Sequence, residues 1–200
     1  MKTKIQFFKS RVFELTLVSA SLMLLFTALP SCNNEKPKDT KEVAEEHNDA
    51  KFDNAKEEDA KFLVSAAEIN LEEIQLGQLA QTRGTTSHVK ELGKMMETEH
   101  TKALADLQTL AVKKQITIPT TLTENGMDAN KKLLDAKGSK FDKEYADMMV
   151  SGHKDAIDKF QKASTDAQDT DIRNWATAML PALRIHLDHS INCQKLCDKM

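Results

Sequence analysis

The chain has 200 residues, with 28 Lys and Arg against 31 Asp and Glu, a formal charge of −3, and only 5% aromatic residues. This mildly acidic balance lacks the clustered basic face that nucleic acid requires, and it excludes nucleic acid as a partner. Scarce aromatics beside abundant Ala, Leu, Met, Lys and Glu favour helices over sheets, so the predicted fold class is all-α.

Residues 1–31 join a basic start (Lys2, Lys4, Lys9, Arg11), an apolar middle from Leu15 to Leu29 and a small residue before Cys32. These are the parts of a secretory signal, and the apolar run is shorter than the ~20 residues a spanning helix needs. The ending Leu29-Pro30-Ser31-Cys32 resembles a bacterial lipoprotein signal. That resemblance implies cleavage before Cys32, lipidation of its thiol, and a domain tethered to a membrane of a bacterial cell envelope, facing the periplasm or the surface. The three acyl chains it implies exceed the two signals that stable anchoring takes. Beyond residue 31 the balance is 24 basic against 30 acidic residues, a formal −6. The remaining length suits one domain that buries roughly two-thirds of its unfolded surface.

Residues 32–56 mix both charge signs with few large apolar groups, too little to offset ordering entropy. They are expected to form the lipidated cysteine and a flexible tether with His47 in solvent. Residues 57–200 then read as the folded domain. From Glu57 a period of 3.6 sets in on Phe62, Ala66, Ile69, Leu76 and Leu79/Ala80, ending near Arg83-Gly84, a glycine suited to the C′ position. A second helix, capped by Thr85, Thr86 or Ser87, follows to about Gln115 on Val89, Leu92, Met96, His100, Ala103/Leu104 and Leu107. So short a turn makes the two an antiparallel hairpin. Residues 116–139, with Pro119, Gly126 and Gly138, read as a connection holding one short helix from Met127 to Ala136. A third long helix over Lys140 to Ser164 carries Phe141, Tyr145, Met149, His153, Ile157 and Phe160. Asp166 to Asp171 supplies a turn and an N-cap, and a fourth helix runs to the end on Ile172, Trp175, Met179, Leu183 and His186. Two such hairpins predict a four-helix bundle. Its fourth helix is expected to kink at Pro181, which cannot bond the Thr177 carbonyl.

The second and third long helices align without a gap: MMETEHTKALADLQ from Met95 against MMVSGHKDAIDKFQ from Met148. This internal repeat pairs Met96 with Met149, His100 with His153 and Leu107 with Phe160. His186 holds a comparable place on the fourth helix. Counted from the turns, His100, His153 and His186 lie roughly 24, 21 and 28 Å along helices of about 40 Å, within the middle third of the bundle. Three converging imidazoles read either as a hydrogen-bonded polar layer or as a metal site, neutral imidazole being the commonest metal ligand. Glu73 or Glu97 is the candidate oxygen ligand beside the three rings, and one Zn, Fe or Cu ion is the candidate cofactor. By its count from the turn, Glu73 sits about 7 Å off the histidine level, where it can equally be a hydrogen-bond partner of a ring. Met96 and Met149, each four residues before a histidine, suit Cu(I) as soft ligands or simply fill the core.

His189, Cys193 and Cys197 form a His-x3-Cys-x3-Cys stripe on one helix face. The two thiols read as a disulfide, as part of a soft-metal site short of a fourth ligand, or as two free thiols near a helix end. His88, beside the first turn, is expected in solvent. No serine or cysteine is placed with a histidine as nucleophile and base, and no glycine-rich phosphate loop occurs.

FLVSAAEINLEEIQLGQLAQ, KMMETEHTKALADLQTLA, FDKEYADMMVSGHKDAIDKFQKAS and AMLPALRIHLDHS resemble the domain-of-unknown-function family 4142, a ferritin-like group of secreted or envelope proteins. The likeness covers about Asp59 to Cys193. It rests on Glu73-Ile-x-Leu-Gly-x-Leu-Ala80, Glu99-His100, His153 after Met-Met-Val, and Leu180-Pro-x-Leu-x-x-His186. Gly152 departs from it, standing where an acidic residue often precedes the second histidine. The resemblance implies a ferritin-like fold and no settled activity. A ferritin-type di-iron centre needs a Glu from each of two helices and Glu-x-x-His from the other two. Only Glu97-x-x-His100 fits, because Val150 and Leu183 precede His153 and His186 by three. The leading expectation is a lipid-anchored, non-catalytic envelope bundle with a histidine metal or polar layer. A ferritin-like metal-dependent redox enzyme and a purely structural or interaction bundle are the alternatives.

Overall fold

The 3.6-residue apolar period resolves into helices along the whole of residues 37–200, the part of the chain that the computed structural model describes. The leader read over 1–31 and Cys32 lie outside these residues. In chain order the helices are α1 (Thr40–Asp49), α2 (Asn54–Arg83), α3 (Ser87–Lys114), α4 (Glu124–Asp135), α5 (Ser139–Asp166) and α6 (Thr170–Cys197). No strand occurs among the described residues, so the all-α expectation holds. No helix among them is long and apolar enough to cross a membrane.

α2 packs chiefly on α3, and α5 on α6, as two hairpins. Two buried carboxylates lock the hairpins together end to end. Asp59, near the start of α2, accepts the backbone N–H groups of Gln168 (2.9 Å) and Asp169 (2.7 Å) in the α5–α6 turn. Asp142, at the start of α5, accepts the N–H groups of Thr85 (2.8 Å) and Thr86 (3.0 Å), and both threonine hydroxyls at 2.8 Å, in the α2–α3 turn. Each aspartate thus satisfies amides that a tight turn leaves without helical partners. α2 and α5 therefore run antiparallel. Lys114, in the last turn of α3, reaches Asp169 (2.6 Å) and Asp171 (2.7 Å) at the start of α6, so α3 and α6 are antiparallel too. α3 and α5 consequently run parallel, and the chain between them must travel the length of the domain. α4 lies on that crossover, packed on α2 and α5.

The core has two apolar clusters. One gathers Leu63, Ala67, Leu107, Ala111, Phe160, Ile172, Ala176 and Leu183, with Phe62 set edge-on and Trp175 tilted against Phe160 at 5.1 and 5.4 Å between ring centroids. The other gathers Leu76, Ala80, Val89, Met96, Phe141, Tyr145 and Met149, with Cys193 and Cys197. The repeated segments of α3 and α5 bury the same positions, with Met96 and Met149 in the second cluster and Leu107 and Phe160 in the first. That matched register requires the parallel direction of the two helices. Met96 and Met149 fill the core, as the plainer of their two readings has it.

Of the segment read as a tether, the described residues 37–56 carry a helix. α1 forms within them, burying Ala44 and Asn48 four residues apart. Asn48 holds both backbone groups of Thr117, its Oδ1 accepting the N–H at 2.8 Å and its Nδ2 donating to the carbonyl at 2.8 Å. Lys41 reaches Glu68 of α2 at 2.7 Å, and Glu68 also accepts from Thr123 (2.9 Å) and Asn125 (3.0 Å) of the crossover. His47, although exposed, hydrogen-bonds the Thr117 hydroxyl. Long-range polar contacts, rather than apolar burial, order this segment. The short helix expected at Met127 begins earlier, at Glu124, where Thr123 caps it through the Gly126 amide. Gly84 has an ordinary φ of −55°. It is needed for space instead, since a Cβ there would meet the Ala80 carbonyl at 2.6 Å.

α2 and α3 come into close backbone contact at Gly77 and Gly93, where a Cβ on Gly77 would stand 2.6 Å from the Gly93 carbonyl oxygen. A Cβ on Gly93 would stand 2.7 Å from both the Ala80 Cβ and the Gly77 carbonyl oxygen. Alanine there gains about 1 kcal/mol of helix propensity, while forcing two backbones apart costs about 1–3 kcal/mol. Gly93→Ala is expected to lower stability by about 1 kcal/mol in urea unfolding, and Gly77→Ala by a similar amount; a gain in either would show that the helices separate freely.

Candidate metal centre

Between the two apolar clusters lies a layer of buried polar side chains drawn from all four long helices. α2 supplies Asn70 and Glu73, α3 His100, α5 His153, and α6 His186 and Ser190. Counted from the end where Gly84, Gly138 and Cys197 lie, Asn70, Glu73 and the three histidines sit at depths of roughly 16–24 Å, with Ser190 one to two turns nearer that end. Burying so many polar atoms is costly unless each finds a partner.

The three rings meet at a point. Ring centroids are 5.6 Å apart for His100–His153, 5.2 Å for His100–His186 and 5.4 Å for His153–His186. One ring nitrogen from each lies within 4.8 Å of the other two. Asn70 Nδ2 donates to the Ala66 carbonyl at 2.7 Å, which turns Asn70 Oδ1 toward His100 Nδ1 at 3.0 Å. His100 therefore carries its proton on Nδ1, and its Nε2 is left with no partner. His153 Nδ1 donates to the Met149 carbonyl at 2.8 Å, and its Nε2 is likewise buried without a partner. His186 Nδ1 is the third such nitrogen. Ser190, below it, donates to the His186 carbonyl at 2.7 Å and does not reach the ring.

Burial drives all three imidazoles toward their neutral form. Desolvation, with the neighbouring His153 and His186 rings, holds His100 well below the usual histidine range. Desolvation outweighs the Met149 bond and brings His153 down to about 4, and it lowers His186 against the pull of Glu99. The result is three neutral imidazoles, each with an unpartnered nitrogen. A tetrahedral ion with nitrogens at ~2.1 Å would set them roughly 3.4 Å apart, so modest ring motions suffice to close the present spacing.

The two candidate carboxylates differ. Glu73 reaches the layer, with Oε1 3.6 Å from His153 Nδ1, the nitrogen that already donates to Met149. It thus stands behind the ring rather than among the converging nitrogens. Desolvation, and then the charge of Glu72, pushes its carboxyl well above the usual range. Gly152 makes the room, since a Cβ there would lie 3.3 Å from Glu73 Oε1. A cleft of about 190 Å3 lined by Glu68, Glu72, Glu73 and Asp155 opens beside it. Glu97 does not join the layer: its carboxylate accepts from Gln78 (2.8 Å) and Gln81 (2.7 Å) on the outer seam of α2 and α3. Sequence reasoning missed Asn70, although it lies three residues before Glu73 on the same helix face. It also read Tyr145 only as core. The Tyr145 hydroxyl is buried without a partner, and burial together with Glu73 pushes its phenol well above the usual range.

Stability should follow the protonation of this layer. The unfolded chain takes up protons on histidine near pH 6.5. The folded chain resists until about pH 4 at His153. Over that window the unfolded state binds more protons, so stability falls on acidification. Glu73 acts in the opposite sense, because the folded chain keeps a proton there that the unfolded chain releases above pH ~4.5. In chelator-treated protein, His153→Gln is expected to remove about 2 kcal/mol of the loss between pH 7 and pH 5, measured by urea unfolding. An unchanged slope would mean that His153 protonates freely in the folded chain.

No curated protein and no solved structure matches the chain significantly. A family model described as a domain of unknown function (DUF4142) matches residues 42–192, a span that takes in α2, α3, α4, α5 and every member of the polar layer. The chain belongs to the DUF4142 family.

Proposed function

We propose that the protein is a lipid-anchored, non-catalytic component of a bacterial cell envelope, a ferritin-like four-helix bundle that holds one transition-metal ion on His100, His153 and His186. The observation that carries this reading is the set of three neutral imidazoles, each with a buried nitrogen that has no partner. Leaving three such nitrogens desolvated costs about 1–3 kcal/mol each, and one cation satisfies them together. Neutral imidazole suits Zn, Fe and Cu, and three histidines with an open fourth position are a known zinc arrangement. Asn70 and the Met149 carbonyl then serve as the outer partners that fix ring orientation, with Glu73 close behind His153.

The antiparallel packing of α2 with α5 and of α3 with α6, joined by one long crossover, supports the ferritin-like topology. Pro181, inside α6, supports a bend in that helix. The di-iron alternative loses support because Glu97 is engaged elsewhere and Val150 and Leu183 offer no bridging carboxylate. The lipid anchor rests on the Leu-Pro-Ser-Cys32 ending.

Metal content by mass spectrometry on the full chain, purified in detergent without chelator, is expected to show about one ion per chain, lost in the His100/His153/His186 triple alanine variant. Saturation at 100 times Kd should raise stability by about 2.7 kcal/mol. His100→Ala or His153→Ala should therefore weaken the metal-bound form more than the stripped form; equal losses in both would leave a polar layer with no ion. Asn70→Ala is expected to lower metal affinity 10–100-fold through loss of ring orientation. For the anchor, Cys32→Ser expressed in a bacterium should move the protein from the membrane to the soluble fraction and abolish fatty-acid labelling. Labelling that persists would place the lipid elsewhere.

A further inference from the structure

A second group of ligand-type side chains lies at the end of the domain where α3 begins and α6 finishes. His88, in the first turn of α3, and Cys193 and Cys197, in the last two turns of α6, bring one ring nitrogen and two sulfurs within 4.8 Å of one another. His88 Nε2 faces Cys197 Sγ at 3.6 Å and the Thr86 hydroxyl at 3.2 Å. Both thiols are free and buried, while His88 is half-buried and lines a cleft of about 330 Å3 with Glu91, Cys193 and His189. The trio therefore has a closed apolar side and an open side.

We propose that His88, Cys193 and Cys197 form a second metal site, selective for a thiophilic divalent cation of the zinc type. Two sulfurs and one imidazole nitrogen are a recognised three-ligand zinc set, with a fourth position for water, and the cleft leaves that position open. Soft thiolates separate this site from the all-nitrogen layer in metal preference. Seven residues of α6 separate His186 from Cys193, roughly 10 Å along the helix, so the two sites take ions independently.

Burial raises both thiols, and Asp142, fixed by the Thr85 and Thr86 amides, adds a smaller push in the same direction. Burial first, and then the adjacent Cys197, pushes Cys193 up to about 12. Without metal the pair is therefore protonated, and each thiol that ligates releases its proton to solvent as the sulfur–metal bond forms. The ion would tie the first turn of α3 to the last turns of α6, where a helix end otherwise frays.

The test is titration of the full chain, reduced with a phosphine and held in detergent, first with Co(II) and then with Zn(II). Expected is a near-ultraviolet thiolate-to-cobalt charge-transfer band that saturates with one ion bound at this site, in addition to any ion held by the histidine layer, is displaced by Zn(II) and is absent from Cys193→Ser/Cys197→Ser. The band should persist in His100→Gln, which separates this site from the histidine layer. His88→Ala, a half-buried position, is expected to weaken Zn(II) at least tenfold and carries the test if the double serine variant fails to fold. No band, a band that survives the double serine variant, or a mass two units low from a Cys193–Cys197 disulfide that returns after reduction would each overturn the proposal.

Discussion

The structure turns on the desolvation of three imidazoles in the middle of an otherwise apolar core. His100, His153 and His186 are each at most 5% exposed, and the two apolar clusters meet on either side of them. A core of this length could have been filled with Leu and Met throughout, at lower cost in unpaired polar atoms. What surrounds the rings serves to orient them. Asn70 is held by the Ala66 carbonyl so that it faces His100, the Met149 carbonyl fixes the His153 proton, and Gly152 gives Glu73 its place. These are the supports expected of a preorganised site, since a polar layer meant only for packing would have its own atoms satisfied.

Alignment of that layer depends on the ends of the domain. Asp59 and Asp142 each collect turn amides from the opposite hairpin, which fixes the axial position of α2 against α6 and of α5 against α3. Because α3 and α5 run parallel, the repeated Met-x3-His segments present their histidines at one level with the same cluster above and below. An antiparallel pair would have set Met96 against Ile157 and lost that match. The crossover with α4 is the price of the parallel direction, and α1 is stitched to it through Asn48 and Glu68.

The helices, the repeat and the convergence of three histidines were legible in the sequence because each is written in apolar spacing. What spacing does not encode was lost. α1 buries little apolar surface and depends on contacts to Thr117 and Glu68, each more than 25 residues away, so composition alone gave a tether. Glu97, one position round the helix from Met96, turns to the outer seam where Gln78 and Gln81 wait, although its i,i+3 spacing to His100 was right for a ligand. Glu73 was counted about 7 Å off the level of His100 from the turn the two share. Its long side chain, with the room left at Gly152, closes that distance to His153. His88 was read as a solvated residue beside a turn, and only the antiparallel pairing of α3 with α6 brings it to the two cysteines.

Both ends of the domain are closed by carboxylate clasps, and dry clusters fill the space toward each end. On the side of His100 and His186 the layer opens only to a crevice of about 20 Å3 between Glu99, His100, Met179 and His186, about the room one water molecule needs, the wider cleft beside Glu73 lying behind His153. A hydrated ion is larger than that. An ion passing through that crevice would have to wait for α3 and α6 to part and to shed its water, so exchange would be paced by breathing of the wall rather than by affinity. Were an ion bound there, such a centre would retain it through long intervals of scarcity and would be poorly suited to handing it rapidly from one carrier to the next.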